Sequence, residues 1–396
     1  MNRFRAVICG GGIAAIEGLL RLRKLAGDSI DITVLAPNEE LVMRPLAVLQ
    51  PFAGGPPRHY PLKGIAADND AEWIQDSLGW VDPDGQIVHT EAGQQLNYDA
   101  LLVAVGARQH AAFDHVGTFR DADADQAYQG VVQDIETGYS NSIAFLKPEG
   151  PVYPLPLYEL ALLTAERAHS MDVDLTVTLV TPEHKPLSVF GTEVSDAVGA
   201  ALKTAGVTVH TSAKATVPKA GELLVEPLGM QLHPRRIELH PQRMLAVPSL
   251  SGPGIRGLRG GGAHGFLPID RYCGVRGVGE RVYAAGDAAD FPVKHGGLGA
   301  QMADSAASAI ASLAGLDVTR EEFNPVIRGK LLGGRNPLYI SARLVGDSSF
   351  GSQVYDTPPW PEAEKVVATE LGGYLAQLDE DRRHAEEARR RIAGRA

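Results

Sequence analysis

Near its start the chain runs from a short apolar strand, AVIC at residues 6–9, straight into three glycines and then into a helix carrying Ile13, Ile16, Leu19 and Leu20 on one stripe. A second apolar segment, IDITVL at 30–35, follows. Strand, glycine turn, helix and strand in 31 residues make a βαβ unit, and such a unit obliges the chain to build a parallel sheet. Gly10, Gly12 and Ala15 fit the spacing G-x-G-x-x-G/A. That spacing lets backbone approach a pyrophosphate whose charge the helix N-terminus favours. A glycine turn without a nucleotide has the same signature. The second strand ends in Ala36 and Pro37 rather than in an acid able to hold a ribose hydroxyl, which leaves Glu39 or Glu40 for that role, or as exposed loop acids.

The remaining composition narrows the setting. At 396 residues the chain is long enough for two or three modules. With 44% hydrophobic and 21% charged residues it is a globular chain, not a disordered, fibrous or membrane-spanning one. A net charge of −11 opposes nucleic acid as a partner. Cys9 and Cys273 are the only cysteines, too few for a disulfide scaffold, a cysteine zinc site or an iron–sulfur cluster, so no metal site is expected. Glycines and Glu17 interrupt the apolar N-terminal stretch, and no run of 18 apolar residues occurs, so neither a signal peptide nor a membrane anchor is expected. The expected location is the cytoplasm.

Further along, residues 44–61 are rich in Pro and Gly and read as a long loop with at most one short helix. AEWIQDSLGWVD, QIVHT and QLNY, parted by DPDG and EAGQ, read as an antiparallel meander. ALLVAVGA reads as a buried strand returning to the first sheet. A second unit of the first kind occupies 142–180: strand SIAFL, a Pro-rich turn, a helix through LYELALLTAERA and strand LTVTLV. The two halves end alike, in TVLAPNE and TLVTPEH, as in a duplicated mononucleotide-type fold. VTVHT, ELLVE and RRIEL add strands up to about residue 250. RVYAAGDAAD (281–290) is a buried strand ending in Gly286 and Asp287, which sets a carboxylate able to accept from a polyol at the carboxyl edge of a sheet. A long Ala-rich helix follows. Residues 326–378 mix glycine turns, aromatics and a final helix, and the stretch from Asp379 is a charge-laced, solvated helix or tail.

GGGIAA, LLVAVGA and VYAAGDAAD, in that order, resemble the flavoproteins with two dinucleotide-binding domains, the pyridine nucleotide-disulfide oxidoreductase superfamily. The resemblance covers roughly residues 4–320. It implies an α/β fold of two Rossmann-like domains, with FAD in the first and discontinuous one: Gly10 and Gly12 on the pyrophosphate, Gly106 toward the adenine, Gly286 and Asp287 at the ribitol. MRPLAVLQPF, GGRNPLYISA and SQVYDTPPWPEAEK are similar to the sulfide:quinone oxidoreductase-like branch, which implies Arg44 and Pro45 beside the isoalloxazine. The expected domains are 1–110 with 251–325 for FAD, 111–250 for a degenerate NAD-type domain, 326–378 as a segment covering the flavin or forming a homodimer interface, and 379–396 as a charged tail.

After Asp287 the sequence FPVKHGGLG leads into a helix through Gly297, and a helix N-terminus with Lys294 there would favour an anionic reduced ring. His295 could exchange protons beside it. Tyr158 and Glu159 open the second unit's helix, which would face the flavin and makes both catalytic candidates, and by resemblance Glu159 matches an acid near the reacting ring. The loop KPEGPVYPLP has four prolines and one glycine, which disfavours a nicotinamide cofactor at the usual superfamily site. The branch's sulfide chemistry needs paired redox cysteines, and neither Cys9 nor Cys273 stands at those positions. The expected function is therefore an FAD-dependent oxidoreductase passing electrons from an unidentified donor to an unidentified acceptor, quinone among the candidates, with a small-molecule or quinone-type redox substrate and no cysteine relay. The alternatives are an NAD(P)H-dependent flavin reductase and a non-catalytic flavin-binding redox sensor.

Overall fold

Strand Phe4–Cys9, helix Ile13–Ala26 and strand Ile30–Leu35 stand where the first βαβ pattern puts them. The computed structural model describes residues 3–120, 124–229, 236–258, 263–334, 336–345, 348–360 and 365–393. In it the first sheet has five parallel strands in the order Val282–Ala284, Ala100–Val103, Phe4–Cys9, Ile30–Leu35, Glu72–Ile74. Ala6 pairs with Ala100 on one side and Ile32 on the other. The central strands are buried on both faces, as apolar runs without alternation require. Helix Ile13–Ala26 packs against helix Gly296–Leu313 on one face, and the approach is close because small residues line it. A side chain at Gly18 would strike Leu102, and one at Gly299 would meet the Gly286 backbone at 3.0 Å.

The second sheet repeats this plan. Its order is Gly117–Thr118, Arg243–Ala246, Ser142–Leu146, Thr176–Val180, Thr208–His210, all parallel. Helices Leu155–Ser170 and Thr192–Thr204 serve its crossovers. Its hydrophobic core is a cluster separate from that of the first sheet. The chain thus has the two-Rossmann α/β fold expected from its sequence.

Three local expectations need correction. Glu72–Ile74 is not part of a meander but the parallel edge of the first sheet, and only Leu78–Asp82, Ile87–Thr90 and Gln95–Asn97 form the antiparallel set. Residues 44–61 are more ordered than a long loop: strands Glu40–Met43 and Arg58–Pro61 pair antiparallel around a 3-10 helix, Arg44–Phe52. Pro45 and Pro51 remove backbone donors there, which the i→i+3 pattern tolerates better than a full α-helix does. Of the two alternatives for the stretch from Asp379, helix or tail, the helix holds; what changes is its boundary, because one helix, Leu371–Ala393, runs through it. Residues 394–396 of that stretch, Arg235 of RRIEL, and 361–364 of the PPWPEAEK motif lie outside the described residues. Val326–Leu331, Leu338–Val345 and Ser348–Tyr355 form an antiparallel sheet that closes the C-terminal segment. Among the described residues no helix is long and apolar enough to cross a membrane.

Candidate active site

One continuous cavity of about 630 Å³ runs along the carboxyl edge of the first sheet. Its middle is built from backbone. Gly10 sits at φ +134°, and a side chain there would collide with the Ala104 carbonyl, so the turn is open to glycine only. Gly12 is the opposite: its Cβ position has no heavy atom within 4 Å. That empty volume lies directly before helix Ile13–Ala26, whose N-terminus has no side-chain cap. The first N–H groups of the helix are therefore without an intrahelical partner at a cavity wall, the arrangement that binds phosphate oxygens. Ala15, part of the same motif, is fully buried one turn in and serves the helix–sheet packing.

Beside this turn, with the Gly286 Cβ position 3.1 Å from the Ala14 side chain, stand Gly286 and Asp287, in a single 3-10 turn after strand Val282–Ala284. Burial pushes the Asp287 carboxyl up, and the nearby Lys294 pulls it partly back. Lys294 is buried, with its ammonium 3.2 Å from the Asp287 carbonyl, 2.5 Å from the Ala289 carbonyl and over the Phe266 ring at 3.7 Å. Burial brings it down to about 8. Its donors hold the 286–290 turn in shape. The cavity continues past Gly106, at φ +76°, to Asn38, Glu40, Ser77, Leu78 and Arg108. Of the two acids at the end of the second strand, Glu40 lines the cavity, whereas Glu39 accepts from Gln75.

At the opposite end the cavity is bounded by Arg44, Pro45, Tyr153, His295, Lys365 and Val366. His295 caps helix Gly296–Leu313: its Nδ1 accepts from the Leu298 N–H at 3.3 Å. Its ring meets Tyr153 edge-on, with centroids 4.7 Å apart. Burial, then the Lys365 charge, lower it to about 4, so the imidazole is neutral around pH 7. Gly297, one residue into the helix, does not line the cavity, and a Cβ on it would press on the His295 ring.

Tyr158 and Glu159 part company. Neighbours on a helix project about 100° apart, so both cannot face one site. The Tyr158 hydroxyl donates to Glu183 at 2.6 Å, away from the cavity, and the role expected for it beside the ring finds no geometry. Glu159 is fully buried behind the cavity wall and accepts from Lys365 at 2.6 Å and from the Leu332 N–H at 2.9 Å. Lys365 also donates to the Pro45 carbonyl at 2.8 Å. One ammonium thus ties the second domain, the 3-10 segment and the C-terminal segment together at the cavity. Sequence reasoning missed Lys365 although it closes the PPWPEAEK motif, because nothing local marks it as buried; Tyr153 was passed over among prolines for the same reason. Cys9 and Cys273 are buried, unpaired and outside the cavity. Burial raises both thiols, Cys273 to about 12, so neither supplies a thiolate near neutrality.

No family model matches the chain. It aligns with the mitochondrial sulfide:quinone oxidoreductase of Mus musculus at 23% identity over 107 residues, 26% of this chain and 23% of the mouse protein. The enzyme of the same name from Dictyostelium discoideum aligns at 28% over 117 residues, 26% of this chain and 24% of that protein. Each alignment therefore spans about a quarter of the relative's length. Among solved structures, the sulfide:quinone oxidoreductase of Aquifex aeolicus superposes with a TM-score of 0.77 at 16% identity, covering 89% of this chain and 86% of that one. A ferredoxin reductase from Rhodopseudomonas palustris gives 0.64 at 18% identity, covering 86% and 82%. An NAD-dependent persulfide reductase from A. fulgidus gives 0.60 at 16% identity, covering 86% and 64%. The chain therefore shares the fold of these solved structures, the two-Rossmann α/β arrangement expected from its sequence motifs.

Proposed function

We propose that this chain is an FAD-dependent oxidoreductase that takes a small-molecule redox substrate and uses no cysteine relay. The observation that carries the reading is the single cavity joining an uncapped helix N-terminus at Gly12, a Gly286–Asp287 turn and a buried cation at Lys365. The residues fit FAD: a diphosphate matches the bare N–H groups and the room above Gly12, and a polyol matches Asp287. FMN lacks the second phosphate and the adenosine that the long arm toward Asn38 and Glu40 would hold. When bound, FAD supplies the electron chemistry, and the protein supplies position and charge.

Each residue then has a task. Gly10 and Gly12 let backbone reach the diphosphate, and Asp287 orients the polyol. Lys294 fixes the turn that carries Asp287. Lys365, held by Glu159 and the Pro45 carbonyl, places a positive charge where a reduced ring would gain negative charge. Neutral His295 keeps its Nδ1 lone pair on the helix and gives its Nε2–H to the Arg328 backbone carbonyl, so both ring nitrogens hold it in place at the cavity wall. The substrate's approach lies along Arg44, Pro45 and Tyr153.

Two relatives' chemistries fit less well. A nicotinamide at the second turn meets four prolines and a Glu183 whose carboxylate is already held by Tyr158 and Thr181. Sulfide oxidation through thiols has no exposed thiol to begin it. Quinone stands as one acceptor class. The experiment is to denature the purified protein and identify what it releases. The reading expects a yellow protein that releases FAD, and Asp287→Ala should weaken FAD retention about ten- to a hundredfold, the range for a lost hydrogen bond to a charged group. A colourless protein that ignores added FAD overturns it.

A further inference from the structure

A second cavity, of about 700 Å³, lies between the outer face of the C-terminal sheet and helix Gly296–Leu313. It is separate from the first: Val366 lines one and Val367 the other. No described residue lining it is acidic. Two are arginines, Arg328 and Arg343, on adjacent strands. Val326 pairs with Arg343 and Arg328 with Ser341, so the two guanidiniums project from the same face as diagonal neighbours. Neither makes an ion pair with a described residue. Arg328 is half-buried, and desolvation already disfavours its charge.

Around this pair the walls are of two kinds. Ser341, Gln353 and Gln301 offer hydrogen-bonding groups, while Val326, Ala342 and Val367 are apolar. Trp360 closes the cavity with 9% of its surface exposed, and its indole N–H is buried with no acceptor among the described residues. A half-buried cation with no carboxylate partner among the described residues, and a buried donor with no acceptor among them, are both costs in a folded chain. Both are relieved by an acceptor-rich anion that enters the cavity. The volume is in the range of small-molecule sites.

We propose that this cavity is a second ligand site, and that it takes a small aromatic oxyanion, a carboxylate or phosphate held by Arg328 and Arg343 with its flat body against Trp360 and the apolar wall. The proposal stands on this cavity alone and does not depend on the cofactor reading. Guanidinium pairs match planar oxyanions by two parallel N–H bonds, which a lysine cannot do.

The test is calorimetric titration of the purified full chain with benzoate, phenyl phosphate and inorganic phosphate, and with benzamide as the uncharged shape control. Expected are dissociation constants below about 1 mM for benzoate or phenyl phosphate. Benzamide should give no measurable binding, and inorganic phosphate should bind more weakly than its phenyl ester. Arg343→Gln, at an exposed position, should leave the melting temperature unchanged and weaken the bound anion about tenfold or more, as loss of a charge-assisted hydrogen bond does. Trp360→Phe should weaken it less. Equal binding of benzamide, undiminished affinity in Arg343→Gln, or no heat from either aromatic anion at millimolar concentration would overturn the proposal. Preference between the carboxylate and the phosphate identifies the source.

Discussion

The two parallel sheets are one design with different turns. Both run strand, turn, helix, strand in the same register sense: Phe4–Cys9 against Ile30–Leu35, and Ser142–Leu146 against Thr176–Val180. At the first turn three glycines leave an uncapped helix N-terminus facing a cavity. At the second, Pro148, Pro151, Pro154 and Pro156 remove donors, and Val152, Tyr153, Leu155 and Pro156 instead form a wall of the first sheet's cavity. The acid after the second strand, Glu183, accepts from Tyr158 and Thr181 instead of standing free for a ribose. Topology is therefore shared while the turns are not: one leaves bare N–H groups at a cavity and the other replaces donors with prolines.

The sharpest break of this comparison is a side chain placed in each turn. Gly12→Leu puts apolar bulk into the volume above the helix N-terminus, where no protein atom lies within 4 Å of the Cβ position, so cofactor retention should be lost while the fold melts cooperatively. Gly150→Asn, at φ +92° with open space around it, should leave cofactor content unchanged. Absorbance at equal protein concentration reads both.

Next in size is the ion pair that joins the second unit to the cavity. In Lys365→Ala the buried Glu159 carboxylate loses its cation, and the expected loss is about 3–5 kcal/mol by denaturant unfolding. Glu159→Gln combined with Lys365→Met should recover much of it. Equal losses in the single and double variants would show that the pair does not act as a unit.

How the residues became legible follows the same division. Gly10, Gly12, Gly286 and Asp287 could be named because turn chemistry is local: a glycine between strand and helix, and a Gly-Asp at a strand's end, carry their geometry with them. Lys365 and Tyr153 line the cavity because distant segments fold onto it, and no spacing announces that. Glu72–Ile74 was misplaced since three apolar-alternating residues suit a meander and a parallel edge equally well. Tyr158 was placed beside the ring with its neighbour Glu159, although one helix turn cannot aim both at one point.

A pH-dependent effect should appear in the first unit's helix. Glu17 accepts from the N–H groups of Thr369, Glu370 and Leu371, capping the C-terminal helix, and Asp304 accepts from the Thr369 hydroxyl at 2.6 Å. Burial and the Glu17 charge push Asp304 up to about 8. An unfolded Asp titrates near ~3.9. Between those values the folded chain keeps a proton that the unfolded chain has released, so stability falls as pH rises from about 4 to about 8 and then levels. Asp304→Asn should flatten that slope and be the more stable form at pH 9, read from melting temperatures across the range. A wild-type curve that rises over this window contradicts the assignment.

The smallest effect is expected from Cys9→Ser with Cys273→Ser. Both thiols are buried away from the cavity, so flavin reduction by the true donor should be nearly unchanged apart from a modest stability loss. A flavin that sulfide bleaches in the wild type within seconds, and not in the double variant, would show a cysteine at work.

The central claim, one binding turn and one closed turn, is tested most directly by counting dinucleotides. Equilibrium dialysis of the purified chain against saturating FAD together with NADH should give one FAD and no NADH per chain. Two dinucleotides per chain, or NADH bound where FAD is not, would contradict it.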